Sequence, residues 1–492
     1  MNVNPITRLD YPDPDVIRVE DTYYMVSTTM HFMPGCEILQ SFDLVHWEHV
    51  TYVYETLDHT DAQQLKSGQN IYGQGMWAAS LRYHEGRFYI CFVANDTRKT
   101  YLYTSEKIDG PWKKQLIEGF YHDGSLLFDE DGRNYIVYGN DEIWITELNE
   151  DLTAPKKDGL HRLLVSDHKN PELGYEGSHI QKINGYYYIF LIHSLRDRWM
   201  RTEACFYSDS LEGEFTGGDV LCDDRGYCGQ GVAQGGIVDT PDGKWYAMLF
   251  QDSGAVGRIP ILVPVTWKDH FPFFGQNGHV PEEIEVHSTR PGYIYQPLVG
   301  SDDFCNGLLP RWQFNHDPDP RYYHLDALQG TYTITTREVC TELTQAVNTL
   351  TQRMSYPSCA AEVTVDASAL KEGDVAGLCA LQSCYAAVGI TKHHGKYEVL
   401  MLDKKEDGIL DMTERTVVES HQMDFRLEAD FCNMKDEARC YYRVNKGDWL
   451  PIGTVHKLYF KLDHFTGCRF GLFCYAAEET GGSACFRDFK YY

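Results

Sequence analysis

The segment Tyr11-Pro12-Asp13-Pro14-Asp15 opens the first strand signal of the chain, and the apolar run at 16–19 follows it. Proline fixes its own φ and biases the residue before it toward an extended backbone. Asp13 is therefore predicted to be held stiffly at the start of a strand, where it can aim a carboxylate into a cavity. The same residues are common turn formers, so this segment alone does not distinguish a site from a turn.

A polar turn followed by an aromatic strand comes next at Glu20-Asp21-Thr22-Tyr23-Tyr24, and similar units recur at 85–89, 131–135, 184–188 and 242–246. Each unit is a hairpin signal. Repeats roughly 45 to 65 residues apart, with short strands and little helical periodicity, are typical of propeller blades. The sequence therefore predicts an all-β fold with a five-bladed β-propeller over residues 1–297.

Equivalent positions lie about twelve residues before the last tyrosine of each unit. In a propeller the innermost strands of all blades line one channel, so residues at one register meet at its mouth. Three of the five are carboxylic acids, which predicts a shared acidic site; the alternative is that each acid caps its own turn. The five positions are Asp13, Trp77, Asp123, Glu176 and Gln234.

Carboxyl groups that face each other across a pocket are the minimal equipment for glycoside hydrolysis. One donates a proton to the leaving oxygen, and the other, ionised, activates water or attacks. A third acid raises the pKa of its neighbour. The competing use is a hard-cation site, but calcium usually takes more oxygen ligands from a compact loop, and no Asp-x-Asp-x-Asp-Gly loop occurs.

Composition narrows the function classes. The net charge is −28 and no cluster of Lys and Arg stands out, so neither nucleic acid nor a membrane surface is the expected partner. The fifteen cysteines form no CxxC pair, which favours free thiols in a reducing compartment. With no apolar leader and no run of 18 apolar residues, we expect a cytoplasmic protein.

Several motifs, in order, resemble glycoside hydrolase family 43, the five-bladed β-xylosidases and α-L-arabinofuranosidases. They cover most of residues 5–270. Two positions where the family usually has proline carry Ala79 and Gly124. The matching stretches are Tyr11–Asp15, Met33–Gly35, Ser41–Trp47, Gly75–Ser80, Asp123–Gly132, Glu176–Ile180, Gly257–Pro260 and Pro264–Trp267.

The resemblance implies that Asp13 is the general base, Glu176 the general acid, and Asp123 the residue that tunes and orients Glu176. Arg258 would line the sugar pocket, although outside the family context a surface ion pair would be the simpler interpretation. Trp77 would stack on a sugar face or pack between blades.

The wall of the pocket is expected to include Met30 and His31, which would shape the choice between arabinose and xylose. Family members often carry a histidine near the channel axis, associated with a cation or a water cluster, where this chain has Gln234. No cofactor is required by this scheme, and a Ca²⁺ ion on the axis is left open.

Residues 298–492 are predicted to form a jelly-roll-like β-sandwich, because strands such as 361–366 and 457–462 alternate apolar and polar residues. The resemblance extends to the C-terminal sandwich of many family 43 enzymes, which would close one side of the pocket. The alternatives are a purely structural partner and a carbohydrate-binding module.

Together these patterns predict an inverting, exo-acting glycosidase that releases terminal L-arabinofuranose or D-xylose from arabinoxylan- or arabinan-derived oligosaccharides. The rivals are a galactan hydrolase, a sugar phosphorylase and a non-catalytic sugar-binding propeller. The sequence leaves linkage preference and oligomeric state open.

Overall fold

The structure, a computed structural model, describes residues 3–492 and has no α-helix in that range. Five four-stranded antiparallel sheets come first, and two larger sheets follow. The predicted all-β class, with a five-bladed propeller and a C-terminal sandwich, is confirmed. Single-turn 3-10 helices lie at Lys66–Gly68, Gly254–Val256, Leu343–Gln345 and Cys432–Met434.

The strands of each blade pair in chain order, except that β3 (Phe32–Met33) leaves the first blade. Blade 1 contains β1 (Asp15–Val19), β2 (Thr22–Val26), β4 (Gly35–Ser41) and β5 (Glu48–Tyr54). Blade 2 contains β6 (Met76–His84), β7 (Arg87–Ala94), β8 (Lys99–Ser105) and β9 (Lys113–Ile117). Blade 3 contains β10 (Ser125–Phe128), β11 (Asn134–Asn140), β12 (Glu142–Leu148) and β13 (His161–Ser166).

The last two blades complete the propeller. Blade 4 contains β14 (Glu176–Ile183), β15 (Tyr186–Ser194), β16 (Arg201–Ser208) and β17 (Thr216–Leu221). Blade 5 contains β18 (Ile237–Asp239), β19 (Trp245–Asp252), β20 (Arg258–Lys268) and β21 (Phe271–Phe274).

The sequence repeat marks the hairpin between the two inner strands of each blade. In blade 4, β14 and β15 are joined by Asn184 and Gly185, whose φ angles are 51° and 85°. Two consecutive positive φ angles suit the two-residue hairpin turn whose twist matches that of the strands, and Asn-Gly adopts it readily.

A buried ionic network joins the inner strands of four blades. Asp15 Oδ2 on β1 accepts hydrogen bonds from the Leu81 amide and from Arg82 Nη1 on β6, at 2.7 and 2.8 Å. Its Oδ1 lies 3.1 Å from Nδ1 of His179 on β14, and Arg82 Nη2 donates to Ser125 on β10 at 2.7 Å. The network fixes the angular spacing of the strands that carry the acids.

Two antiparallel sheets form the sandwich. The eight-stranded sheet runs in the order β3, β22 (Gln313–Asn315), β25 (Leu350–Arg353), β34 (Arg469–Tyr475), β27 (Val375–Leu381), β28 (Ala386–His393), β29 (Lys396–Lys404) and β30 (Leu410–Val418). The seven-stranded sheet runs in the order β23 (Tyr323–Asp326), β24 (Thr331–Thr335), β35 (Ser483–Tyr491), β26 (Ser358–Asp366), β31 (Gln422–Asp430), β32 (Glu437–Val444) and β33 (Leu450–Lys457).

The two domains share a sheet and a core. Strand β3, from the first propeller repeat, pairs antiparallel with β22 and forms one edge of the eight-stranded sheet. The apolar core between the sandwich sheets includes Ala255, Val256 and Ile259 of the propeller. The expected boundary at residue 297 falls in the segment between β21 and β22.

An ion pair crosses the same interface. Arg353 of β25 donates from Nη1 to Glu37 Oε2 of β4 at 2.8 Å and from Nε to the Asp10 carbonyl at 2.9 Å. Its guanidinium also lies 4.0 Å from the ring centroid of Tyr11. Burial would raise the pKa of Glu37, but Arg353 and then His49 hold it at about 2.

All fifteen cysteines are free thiols in the structure. Among the described residues, no helix has the length and apolar character to cross a bilayer.

Candidate active site

Asp13 precedes β1 and is buried, with φ of 52°. The prediction of an extended backbone before Pro14 is therefore wrong at this residue. Aspartate tolerates the left-handed region better than most residues, and such strain recurs at functional sites. Two donors hold the carboxylate: Arg258 Nη1 at 3.0 Å from Oδ1 and Thr28 Oγ1 at 2.5 Å from Oδ2.

Arg258, the first residue of β20, is a buried pocket residue and does not form a surface ion pair. Only 2% of it is exposed, and its backbone N–H donates to Asp10 Oδ1 at 2.7 Å. Its guanidinium lies 4.3 Å from the ring centroid of Phe465, a residue of the sandwich. The sandwich thus supplies part of the wall beside Asp13.

Asp123 and Glu176 come from neighbouring blades and lie close together. Asp123, with φ of 48°, accepts a hydrogen bond at Oδ2 from the Gly177 amide at 3.0 Å. Asn140 Nδ2 donates to Glu176 Oε2 at 2.8 Å. The side chain of Glu176 is 22% exposed and that of Asp123 only 7%, so Glu176 is the acid that solvent and ligand reach.

The environment of Asp123 favours a proton. Burial, and after it the charges of Glu176 and Asp13, raise the pKa of Asp123 to about 6, although His122 opposes the shift. The Asp123 carboxyl group therefore keeps its proton up to about pH 6 and is largely ionised at pH 7. The shift also shows that Asp13 lies within electrostatic range of the other two acids.

His122 is a site residue to which the sequence analysis gave no role. Its Nε2 lies 3.5 Å from Asp123 Oδ2 and 3.6 Å from Glu176 Oε2. Burial alone would lower the pKa of His122, but Asp123, Glu176 and Asp13 together raise it to about 9.

Two aromatic rings close the remaining side of the site. Trp77 lies 5.8 Å from the His122 ring and 5.6 Å from the Phe465 ring, measured between centroids. Trp77 thus lies between His122 and a loop of the sandwich, and its role in stacking on a sugar face stays a prediction. Phe465 comes from the loop between β33 and β34, and it was not predicted.

Irregular pairing aims two of these side chains. On β6 the register shifts between Met76 and Ala79, so that Trp77 lies in a bulge. On β14 it shifts directly after Glu176. A bulge bends its strand and redirects a side chain, and bulges are common next to active sites.

Gln234 also has a positive φ, of 61°, and lies next to the acid pair. A Cβ atom on Gly177 would lie 2.7 Å from the Gln234 side chain, so the two residues are in close contact. The Gln234 amide donates to Glu203 Oε2 at 2.7 Å. Burial raises the pKa of Glu203 well above its usual range, which makes it a neutral neighbour.

Met30 and His31 are buried, and the expectation that they form part of the pocket wall stays a prediction. Met30 is 1% exposed and His31 has no exposed surface. The His31 ring packs against Tyr72 and against His316 of the sandwich, at centroid distances of 4.8 and 4.9 Å.

Within residues 3–492, one group of three His, Cys, Asp or Glu side chains brings its ligand atoms within 4.8 Å of one another, namely His122, Asp123 and Glu176. Neighbouring acids raise the pKa of His122 to about 9, so at neutral pH both ring nitrogens carry protons and neither is free to ligate a metal ion.

Comparison with known proteins now adds to this geometry. Residues 3–272 match the family model described as glycosyl hydrolases family 43, and residues 301–492 match a β-xylosidase C-terminal concanavalin A-like domain. The chain belongs to glycosyl hydrolase family 43. The family resemblance read from the motifs is thereby confirmed, and the protein is a glycoside hydrolase.

The relatives of this family 43 chain carry two activities in their names. A β-xylosidase of Formosa agariphila is 27% identical over 98% of this chain and 88% of its own length. A non-reducing end α-L-arabinofuranosidase of Bacteroides ovatus is 24% identical over 83% of this chain and 79% of its own.

Solved structures of the family agree in fold. A bifunctional GH43-CE protein of Bacteroides eggerthii superimposes with a TM-score of 0.93 at 42% identity, and this chain spans 63% of its length. A family 43 enzyme engineered for both endo-xylanase and exo-arabinofuranosidase activity superimposes with a TM-score of 0.88 at 27% identity, over 99% of its length.

Proposed function

We propose that this glycoside hydrolase is an inverting, exo-acting enzyme that releases terminal L-arabinofuranose or D-xylose from short arabinoxylan- or arabinan-derived oligosaccharides. The observation that carries the proposal is the contrast between the acids. Asp13 accepts hydrogen bonds from Arg258 and Thr28. Asp123 and Glu176 instead lie close together, and the pKa of Asp123 is raised. Carboxyl groups in contrasting environments take different roles in acid–base chemistry.

In this scheme Asp13 is the base. It removes a proton from a water molecule while the oxygen of that water forms a bond to the anomeric carbon. Glu176 is the acid and gives its proton to the glycosidic oxygen as the bond to the sugar breaks. Asp123 favours the protonated form of Glu176 through its negative charge and holds the adjacent Gly177 amide. Solvent restores both protonation states after the products leave.

Exo-action is supported by the shape of the site. Phe465 lies against Arg258 and Trp77, so the sandwich loop narrows the space on that side of the acids. A pocket closed on one side accepts the end of a chain. The names of the relatives support arabinose and xylose as the sugars. Hydrolysis of the two 4-nitrophenyl glycosides decides between them.

The scheme uses no metal. Gln234 and Glu203 are neutral, so they offer little charge to a Ca²⁺ ion, which prefers several carboxylate oxygens. We propose that activity survives treatment with EDTA and gel filtration without added Ca²⁺. A loss that Ca²⁺ restores would contradict this.

The first test is hydrolysis of 4-nitrophenyl α-L-arabinofuranoside and 4-nitrophenyl β-D-xyloside by the purified chain. Asp13→Asn and Glu176→Gln should each lower kcat by about 100-fold or more, because general acid or base catalysis contributes about that much. Asp21→Asn is the matched control, because Asp21 pairs with Arg290 on the surface. It should retain turnover.

The stereochemistry is followed by proton NMR of the first product, which should have inverted anomeric configuration. Product of retained configuration would contradict the inverting mechanism. Turnover that needs inorganic phosphate would indicate a phosphorylase, and tight sugar binding without turnover would indicate a binding propeller. Near-native activity in either site variant would contradict the assignment of that residue.

A further inference from the structure

The backbone places His122 beside the two acids of blades 3 and 4. The carbonyl of His122 accepts a hydrogen bond from the Gly139 amide at 3.0 Å. The next residue, Asp123, has a left-handed φ of 48° in the turn that precedes β10. In this turn the His122 ring and the Asp123 carboxyl lie close together, with Nε2 3.5 Å from Oδ2.

One atom of the ring faces both acids. Nε2 lies at nearly equal distances from Asp123 Oδ2 and Glu176 Oε2, 3.5 and 3.6 Å. Both distances are slightly longer than a hydrogen bond, so a small rotation brings the N–H group to either acid. Among the described residues Nε2 has no hydrogen-bond partner, and it is buried. Trp77 packs against the ring and limits its movement.

The strongest charges acting on His122 are negative. Asp123 and Glu176 lie next to its ring, and Asp13 also acts on it. Trp77, which packs against the ring, is neutral. The imidazole is therefore a cation through neutral pH, and it opposes the effect of Asp123 on the protonation of Glu176.

We propose that His122 is a positioning residue that sets the pH at which Glu176 loses its catalytic proton, by placing one N–H group between Glu176 and Asp123. This inference rests on the proposed function, in which Glu176 is the general acid. His122 and Asp123 act on that acid in opposite directions. An imidazolium favours the ionised carboxylate, and the neighbouring carboxylate favours the protonated form. The balance between these two effects sets the pH of the basic limb in the profile of kcat/KM.

The test compares His122→Phe and His122→Gln with the unaltered chain. Phenylalanine keeps the ring contact with Trp77 and removes the charge; glutamine keeps an N–H donor and also lacks the charge. In both variants the basic limb of kcat/KM for 4-nitrophenyl glycosides should move to higher pH by about one to two units. The acid limb, which belongs to Asp13, should move less. Glutamine should retain more of kcat because its donor still orients Glu176.

His84→Phe is the matched control. His84 stacks on Phe128 of the neighbouring blade, with centroids 4.6 Å apart, and lies outside the site. It should leave both limbs in place. A second control uses 2,4-dinitrophenyl glycosides, whose leaving group departs without a proton. With them the basic limb should disappear in the unaltered chain and in both variants.

A basic limb at the same pH in an active, folded His122→Phe or His122→Gln variant would overturn the inference and leave the proposed function intact. Thermal unfolding verifies the fold, and the glutamine variant decides the matter where phenylalanine does not fold. An unaltered chain that hydrolyses neither glycoside would instead overturn the proposed function, and this inference with it.

Discussion

Three of the five equivalent positions on the propeller, Asp13, Asp123 and Gln234, share a positive φ between 48° and 61°. Such a backbone is uncommon for residues other than glycine. Each of the three lies two or three residues before the first strand of its blade. The site thus depends on backbone geometry as much as on residue type.

Substitution of Asp123 should shift the basic limb of the pH profile in the direction opposite to the shift in the His122 variants. Asp123→Asn removes a negative charge beside Glu176, so the basic limb of kcat/KM should move to lower pH. We expect kcat at neutral pH to fall by about 10- to 100-fold. The pH profile is measured with 4-nitrophenyl glycosides. A limb that moves to higher pH, or remains in place, would contradict the electrostatic role of Asp123.

The positions of the acids could be predicted because they follow the register of the repeat and the motifs of the family. Other residues could not. Asn140 and His122 contact Glu176 across blade boundaries, and a periodic pattern carries no information on such contacts. His122 had one signal, its place next to Asp123. Phe465 is a single aromatic residue in a loop of another domain, nearly 300 residues after Glu176, and its sequence gave no usable signal.

At the scale of the elements, the Asp15 network decides how the inner strands are arranged. Asp15 on β1 is fully buried and forms hydrogen bonds with residues of β6 and β14. Burial would raise the pKa of Asp15, but Arg82 and His179 hold it below its usual range. The sequence predicted that inner strands meet, but it gave Asp15 no part in holding them. The bulges on β6 and β14 were likewise beyond prediction, because one unpaired residue leaves no trace in composition.

Asp15→Ala should lower the free energy of unfolding by about 3–5 kcal/mol, because it leaves the buried Arg82 without its carboxylate. Urea unfolding measures the change. The control is Asp239→Ala, which removes the partner of Arg18 in a part-exposed pair and should cost about 1 kcal/mol or less. Equal losses in the two variants would contradict a special role for the axial network.

At the scale of the whole molecule, Arg353 connects the sandwich to the segment that carries the base. It bonds to the Asp10 carbonyl and contacts Tyr11, and Asp13 follows two residues later. The Asp10 carboxylate accepts from the Arg258 and Gly467 amides, so both domains fix this segment. The expectation that the sandwich closes one side of the pocket stays a prediction; the contacts show that the sandwich holds the segment that carries Asp13.

The Glu37–Arg353 pair makes the stability of the whole chain depend on pH. The pKa of Glu37 is about 2 when folded and near 4.5 when unfolded, which corresponds to about 3 kcal/mol. This contribution is complete above pH 5 and is lost as the pH falls from about 5 toward 2. Glu37→Gln should therefore destabilise the chain by about 3 kcal/mol at pH 7 and by roughly half of that or less at pH 3.

Guanidinium unfolding at both pH values measures this difference. Asp21→Asn, which alters a surface pair, is the control and should cost about 1 kcal/mol or less at either pH. A Glu37→Gln defect of the same size at pH 3 and pH 7 would show that packing, and not the charge of Glu37, stabilises the interface.

The pairing of β3 with β22 bears on how such a protein can be recombined. A hybrid that joins this propeller to the sandwich of a relative at residue 297 would keep β3, whose pairing partner β22 would come from the other protein. Exchange of β3 together with the sandwich would keep the eight-stranded sheet intact. For protein engineering, the smallest exchangeable unit is therefore the sandwich plus β3, and the propeller residues Ala255, Val256 and Ile259 that pack in its core must be matched.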